Sequence, residues 1–401
     1  MFGPGTSPVR RGFGGAVLAV ISAGALTLGP TPVAAADRTT VAPPTGAGQA
    51  VAAAAPGLYA GGTFTRAGGT AVDRVARWTG TVWSGPGGAP AAGPDGPVTA
   101  FTLYQGDLVV GGSFLTAGGV RVNGIARWDG STWTPLTGPA GTGVMSTPLD
   151  FVDALAVFDG DLIVGGQFLQ AGGVAVNHVA RWDGTRWYPL TGAGGTGVDV
   201  APVSDLAVHD GVLIVAGGFS QAGGLAANRI ARWTGQGWST LGAGFNGEVL
   251  ALAVFSGALV ATGGFTEVDG VPAARIARWD GDTWAALGGG LNAEGRALTV
   301  HDGSLVVGGH FTEAGGATVN YLARWSGTAW AGLTGPGGTG TDDTVLCLAV
   351  HDGRLVAGGF FATAGGVAVA HVAAWNGASW AALAGPAGAG TDGGVYALHS
   401  V

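Results

Sequence analysis

Apolar and polar positions along this chain fall into short blocks, and residues 296–334 show the rule: RALTVHDGSLVVGGHFTEAGGATVNYLARWSGTAWAGLT. Ala297 to Val300 reads as a short apolar strand, and His301-Asp302-Gly303 as a tight turn, because Asp-Gly is a favoured hairpin dipeptide. Leu305 to Val307 is a second apolar strand that ends in Gly308-Gly309. A Gly- and Asn-containing loop then runs to Asn320, a third strand spans Leu322 to Trp325, and the Ser326-Gly327 turn delivers a fourth around Trp330. The strands are apolar without clean alternation, as expected when neighbours cover both faces of a sheet.

The block recurs. All 14 Trp fall in pairs five residues apart, from Trp78/Trp83 through Trp128/Trp133, Trp182/Trp187, Trp233/Trp238, Trp279/Trp284 and Trp325/Trp330 to Trp375/Trp380. Successive pairs begin 46 to 54 residues apart, and a period of that size means a repeat architecture. Four antiparallel strands per unit, seven times over, predict an all-β fold, a seven-bladed β-propeller. The ends fit closure. Gly57-Leu58-Tyr59-Ala60-Gly61-Gly62 is a second strand with no first, and Val395-Tyr396-Ala397-Leu398-His399 is a first strand with no second. Paired, they complete one four-stranded blade, so the C-terminal strand closes the ring and removes open sheet edges.

Composition supports this reading. The chain of 401 residues has 81 Gly, 47% hydrophobic residues and 10% charged ones, against about 25% charge in an average domain. It is too apolar for disorder. All 17 basic residues are Arg. Without Lys, Schiff-base chemistry and P-loop phosphate binding are excluded. A net charge of −8 makes a nucleic-acid partner unexpected. Cys347 is the single cysteine, so no intrachain disulfide forms.

The N-terminus reads as an export signal, residues 1–36. Arg10 and Arg11 precede an uncharged, mostly apolar stretch from Gly12 to Gly29, and Ala34 and Ala36 stand in A-x-A register before Asp37. Residues 37–56, rich in Ala, Pro and Thr, read as a flexible linker to the propeller at 57–401. These features predict a secreted or extracytoplasmic monomer with no membrane span after signal cleavage.

Strand, turn, apolar strand ending in Gly-Gly, loop, aromatic strand, turn and Trp together resemble the kelch repeat, with Trp325 and its equivalents where Tyr usually stands. The chain is also similar to repeats in fungal cortical bud-site marker proteins and in exported bacterial proteins of unassigned role. The resemblance covers residues 57–401 and implies the propeller fold; it leaves function open, because propellers host many activities.

Repetition separates scaffold from candidate site, since a site for one ligand should break the pattern. His209, His301 and His351 share a turn position with Tyr104, Phe158 and Phe255, which reads as space filling. His178 and His371 share a second position with Arg229, Arg275, Tyr321 and Gly124, which reads as surface. Arg77, Arg127, Arg181, Arg232, Arg278 and Arg324 each precede the first Trp of a pair, and are expected to fix one blade to the next through carbonyls or carboxylates. Cys347 replaces Ala154 and Ala251 in an apolar strand and reads as a buried filler. Zinc spacing, a G-x-S-x-G elbow, H-E-x-x-H and a Walker motif are all missing from the sequence.

Irregularity is left to the segments between blades, which span 13 to 21 residues from the second Trp to the aligned first-strand residue. Each carries a carboxylate shortly before the next first strand: Asp95, Asp150, Asp199, Glu248, Glu294, Asp343 and Asp392. Gathered round the channel mouth, they would form an acidic rim of hard oxygen ligands suited to calcium, the one cofactor the sequence suggests. The favoured function is an exported, non-enzymatic binding or scaffold module that meets an extracellular protein or glycan through its loop face. The alternative is a carbohydrate-active enzyme using loop carboxylates as acid and base.

Overall fold

The computed structural model describes residues 54–87, 93–199 and 202–401. The export signal and residues 37–53 of the linker lie outside the described residues. The described chain forms seven four-stranded antiparallel sheets and no helix. Blade 2 is typical, with strands Val98–Tyr104, Asp107–Gly112, Ile125–Trp128 and Trp133–Pro135 running outward in that order. The first strands of successive blades touch one another all the way round, so they form the inner wall of the ring. Blade 1 closes as expected: Val395–Ser400 pairs antiparallel with Leu58–Gly62, placing His399 opposite Tyr59 and Leu398 opposite Ala60.

The turns have a simple cause. Asp302 and Gly303 both have positive φ, at 47° and 68°, the geometry of the tight hairpin turn whose twist matches that of its strands. The loop between second and third strands differs from expectation. In blade 6 it folds as a small hairpin, Glu313–Ala314 against Ala317–Thr318, and every other blade has its counterpart. Gly-Gly tips, as at Gly315 and Gly316, turn it with φ of 55° and 82°. Most of the variation between blades has an equally plain origin: four of the longer inter-blade segments carry one extra two-stranded hairpin, such as Thr137–Gly138 with Gly141–Thr142.

Every first strand carries a β-bulge near its start, at Thr99, Asp153, Ser204, Leu250, Arg296, Leu346 and Tyr396. A glycine at or next to the end of each second strand makes room for it. A Cβ on Gly263 would stand 2.1 Å from the Glu248 carbonyl oxygen, and the seven equivalent glycines all meet a carbonyl at 2.0–2.2 Å. Only a residue without a side chain allows that approach.

The core lies between blades. Seven apolar clusters each join one blade to the next; in one, Ile214 and Ile230 of blade 4 pack on Leu252, Leu259, Trp279 and Trp284 of blade 5. Thirteen of the 14 Trp are buried, and each pair stacks tilted at 5.0–5.4 Å between ring centroids. The second Trp is also the staple between blades. In five blades its indole N–H donates to a leucine carbonyl of the preceding blade, as in Trp284 to Leu241 at 3.0 Å and Trp83 to Leu383 at 2.8 Å. Three members of the Arg series bond inside their own blade instead. Arg181 bonds Asp161 at 2.8 Å, Arg127 bonds Asp107 and Arg77 bonds the Pro56 carbonyl at 2.6 Å, all within one blade. A half-exposed guanidinium in mid-sheet reaches the start of the adjacent second strand more easily than it crosses an apolar interface.

Candidate functional site

Connections between second and third strands and between blades emerge on one face, the loop face; the tight turns emerge on the other. On the loop face the expected acidic rim takes a different form. Asp95 accepts the backbone N–H groups of Leu115 and Thr116 at 2.8 and 3.0 Å, bracing the hairpin of its own blade. Asp199 does the same for Ser220 and Gln221, and Asp392 for Thr65 and Arg66 across the ring closure. Burial alone would raise these three carboxyls, but their N–H and hydroxyl donors hold them below the ordinary carboxylate range. In blades 5, 6 and 7 the same brace is made by Asn246, Asn292 and Asp342. Because Asn serves as well as Asp, the position requires an acceptor oxygen and not a charge.

The other four residues stand elsewhere. Asp150 closes its own loop onto Ser146 and Thr147, and Asp343 turns back onto Thr344. Glu248 and Glu294 sit directly before their first strands and belong to the channel mouth described next. The seven acids therefore do not converge as one rim. Among the described residues, no group of three or more His, Cys, Asp or Glu could hold a metal ion.

The repeat breaks most sharply at the channel mouth. The bulged positions change from Thr to Asp, Ser, Leu, Arg and Tyr around the ring. The residues directly before the first strands of blades 5 and 6 are Glu248 and Glu294. The residue after the second-strand glycine is His310 in blade 6 and Phe360 in blade 7. These side chains interact. Ser204 donates to Glu248 Oε1 at 3.0 Å, Arg296 donates to Glu294 at 3.0 Å, and Arg296 Nε meets His310 Nδ1 at 3.1 Å. Phe360 packs edge-on to Tyr396, with centroids 5.7 Å apart. All the bulged residues except Arg296 are buried.

Asp153 is the most perturbed member. Burial first, and the nearby charge of Glu248 second, push its carboxyl up to about 8, with Arg296 opposing. Blade 3 adjoins only blades 2 and 4, whereas Glu248 and Arg296 belong to blades 5 and 6. Glu248 and Arg296 therefore act on Asp153 as charges at a distance and not through a hydrogen bond. A carboxyl that ionises near 8 when folded and at 3.8 when unfolded adds stability that is complete below 3.8 and is lost as pH rises through 8. Each tenfold change in proton affinity is worth about 1.4 kcal/mol. Asp153→Asn is therefore expected to melt increasingly above the parent as pH climbs from 5 to 9, by several degrees at the alkaline end. Parallel melting curves across that range would remove Asp153 from this role.

Sequence reasoning picked Glu248 and Glu294 for their position in the loops but missed Asp153, Arg296 and His310. The signal was present: Asp153 and Arg296 interrupt a column of otherwise uncharged residues. Two expectations about histidine fared differently. His301 fills space at the blade edge as read, with Nε2 3.1 Å from the Gly353 carbonyl of the next blade. His178, read as surface, is buried. A groove of about 400 Å³ also lies on the loop face between blades 2 and 3, lined by Phe114, Leu115, Arg121, Met145 and Pro148 among others.

A family model described as "Domain of unknown function (DUF5122) beta-propeller" matches residues 301–324. That is part of one blade. No curated protein matches the chain. Among solved structures it is similar to the WD40 β-propeller domain of Doa1, at 15% identity over 78% of this chain and 84% of that one, with a TM-score of 0.44. It is likewise similar to the computationally designed Ika8 protein, at 16% identity over 76% of this chain and 84% of that one, with a TM-score of 0.45.

Proposed function

We propose that this chain is an exported, kelch-like binding or scaffold module that holds an extracellular protein or glycan on its loop face. One observation carries the reading: the buried scaffold repeats from blade to blade, whereas polar and charged identity changes at the channel mouth. A rigid ring presenting one irregular patch is a frame for recognition. Export rests on Arg10, Arg11 and the Ala34/Ala36 register. The enzymatic alternative draws on the neighbouring acids Glu248 and Asp153. It requires substrate to reach Asp153, whose exposure is 2%, and the geometry favours the module.

The test is capture of extracellular proteins and glycans by immobilised residues 37–401, repeated with Glu248→Lys on the loop face and Asp129→Lys on the turn face. Retention lost only in the first variant supports the reading. Retention lost only in the second overturns it, and glycan cleavage abolished by Glu248→Gln would establish the enzyme instead.

A further inference from the structure

Several departures from the repeat converge on the groove between blades 2 and 3. Its blade 3 wall belongs to the longest inter-blade segment, 21 residues from Trp133 to Ala154, which brings Met145 and Pro148 to the groove. Met145 fits because blade 2 has Gly124 where the other blades have Arg74, His178, Arg229, Arg275, Tyr321 and His371. A Cβ on Gly124 would stand 2.7 Å from Met145 Cγ. On the opposite wall Leu115 replaces the hydroxyl residues Thr65, Ser220, Thr266 and Thr312, and is 44% exposed. Arg121 stands where the other hairpins have Ala, Pro or Thr. It is exposed and has no hydrogen-bond or ion-pair partner among the described residues. Leu149, next to Pro148, is 74% exposed. Exposed apolar side chains gathered in one patch mark an interaction site.

We propose that this groove docks an internal segment of a protein partner, one that carries apolar side chains beside a glutamate or aspartate. The apolar side chains lie against Leu115, Met145 and Pro148, and the carboxylate takes charge-assisted hydrogen bonds from the Arg121 guanidinium. Both walls are held before the partner arrives. Asp150 accepts the backbone N–H groups of Ser146 and Thr147 at 2.7 and 2.9 Å, and Asp95 accepts those of Leu115 and Thr116. A preformed groove lowers the ordering cost of binding. The same bonds argue against a chain terminus, whose carboxylate is captured by free backbone N–H groups, since these four are already taken. A glycan fits less well, because the Ser146 and Thr147 hydroxyls already donate to Asp150. Asp95, the groove's own carboxylate, is occupied by three donors of blade 2, which leaves Arg121 to receive an outside acid. The inference rests on the loop face being the binding face, and names one subsite on it with the class of partner that it takes.

The probe is the acetylated and amidated tetrapeptide leucyl-alanyl-glutamyl-leucine, titrated calorimetrically into residues 37–401 at low salt. Its controls replace glutamate by glutamine or by lysine, or both leucines by serine. The glutamate peptide is expected to bind in the millimolar range and to weaken as salt is added. Glutamine in the peptide, or Arg121→Gln in the protein, is expected to weaken it by about fivefold, and the two changes together by no more than either alone. Leu115→Ser is expected to weaken it by about tenfold, and the serine peptide to give no heat. Leu115→Ser installs the residue that blade 4 already carries as Ser220, and Arg121→Gln alters an exposed side chain, so both variants are expected to fold. Equal or tighter binding of the glutamine or lysine peptide, undiminished binding to Arg121→Gln or Leu115→Ser, or no response to the glutamate peptide overturns the site. Retention of glycans but not proteins that is lost in Leu115→Ser overturns the choice of occupant. If the peptides fail while the loop face still captures an extracellular partner, this groove falls and the module reading stands.

Discussion

Removal of residues 395–401 is expected to lower the thermal unfolding midpoint by on the order of 10 °C or to send the protein into aggregates. Val395, Ala397 and Leu398 are buried, and Leu398 packs in the cluster that joins blade 7 to blade 1. The strand also carries the hydrogen bonds of Leu58–Gly62 on its inner side. Without it, blade 1 presents an unpaired apolar edge toward the channel, and its neighbours lose a covered face. Exposed edges of that kind pair with other chains. Stability in a repeat protein is shared between adjacent units, so opening the ring removes two interfaces at once. Size-exclusion chromatography and thermal melting of the truncated chain check this. A truncated monomer that melts like the parent would show that ring closure contributes little.

Trp279→Ala is expected to destabilise the fold by about 3–5 kcal/mol, the usual cost of deleting a buried Trp side chain. Trp279 is buried and tilted on Trp284 at 5.4 Å, and Trp284 touches Phe245 at 4.8 Å. The hole would thus open beside the indole that bonds the Leu241 carbonyl of blade 4. Rigid β-strands on both sides leave little room for collapse, which places the cost near the top of the range. Denaturant unfolding measures it directly. A loss under 1 kcal/mol, or ready acrylamide quenching of most Trp in the native protein, would contradict the burial of these pairs.

Both predictions use features legible in the primary structure, whereas the site does not. The acids preceding each first strand looked equivalent because each lies within three to six residues of the aligned first-strand position. In space a one- or two-residue difference decides whether the oxygen braces a hairpin, as at Asp95, or enters the mouth, as at Glu294. Asn246 and Asn292, which carry no charge, turned out to be the true counterparts of Asp95. A search for carboxylates could not find them.

The sequence by itself determined the number of blades, the four strands in each, the tight turns and the closing strand. All of these are local or periodic: turn dipeptides, Trp pairs and Gly-Gly ends repeat at a readable spacing, and missing half-blades at the two termini can pair in only one way. Tertiary structure alone decided which residues meet across the channel. Asp153 stands on blade 3, and Glu248 and Arg296 stand on blades 5 and 6; the repeat aligns their positions but does not say which side chains face the same space. They gather at one mouth because the first strands of all seven sheets form the inner wall of the ring, each bulged near its start.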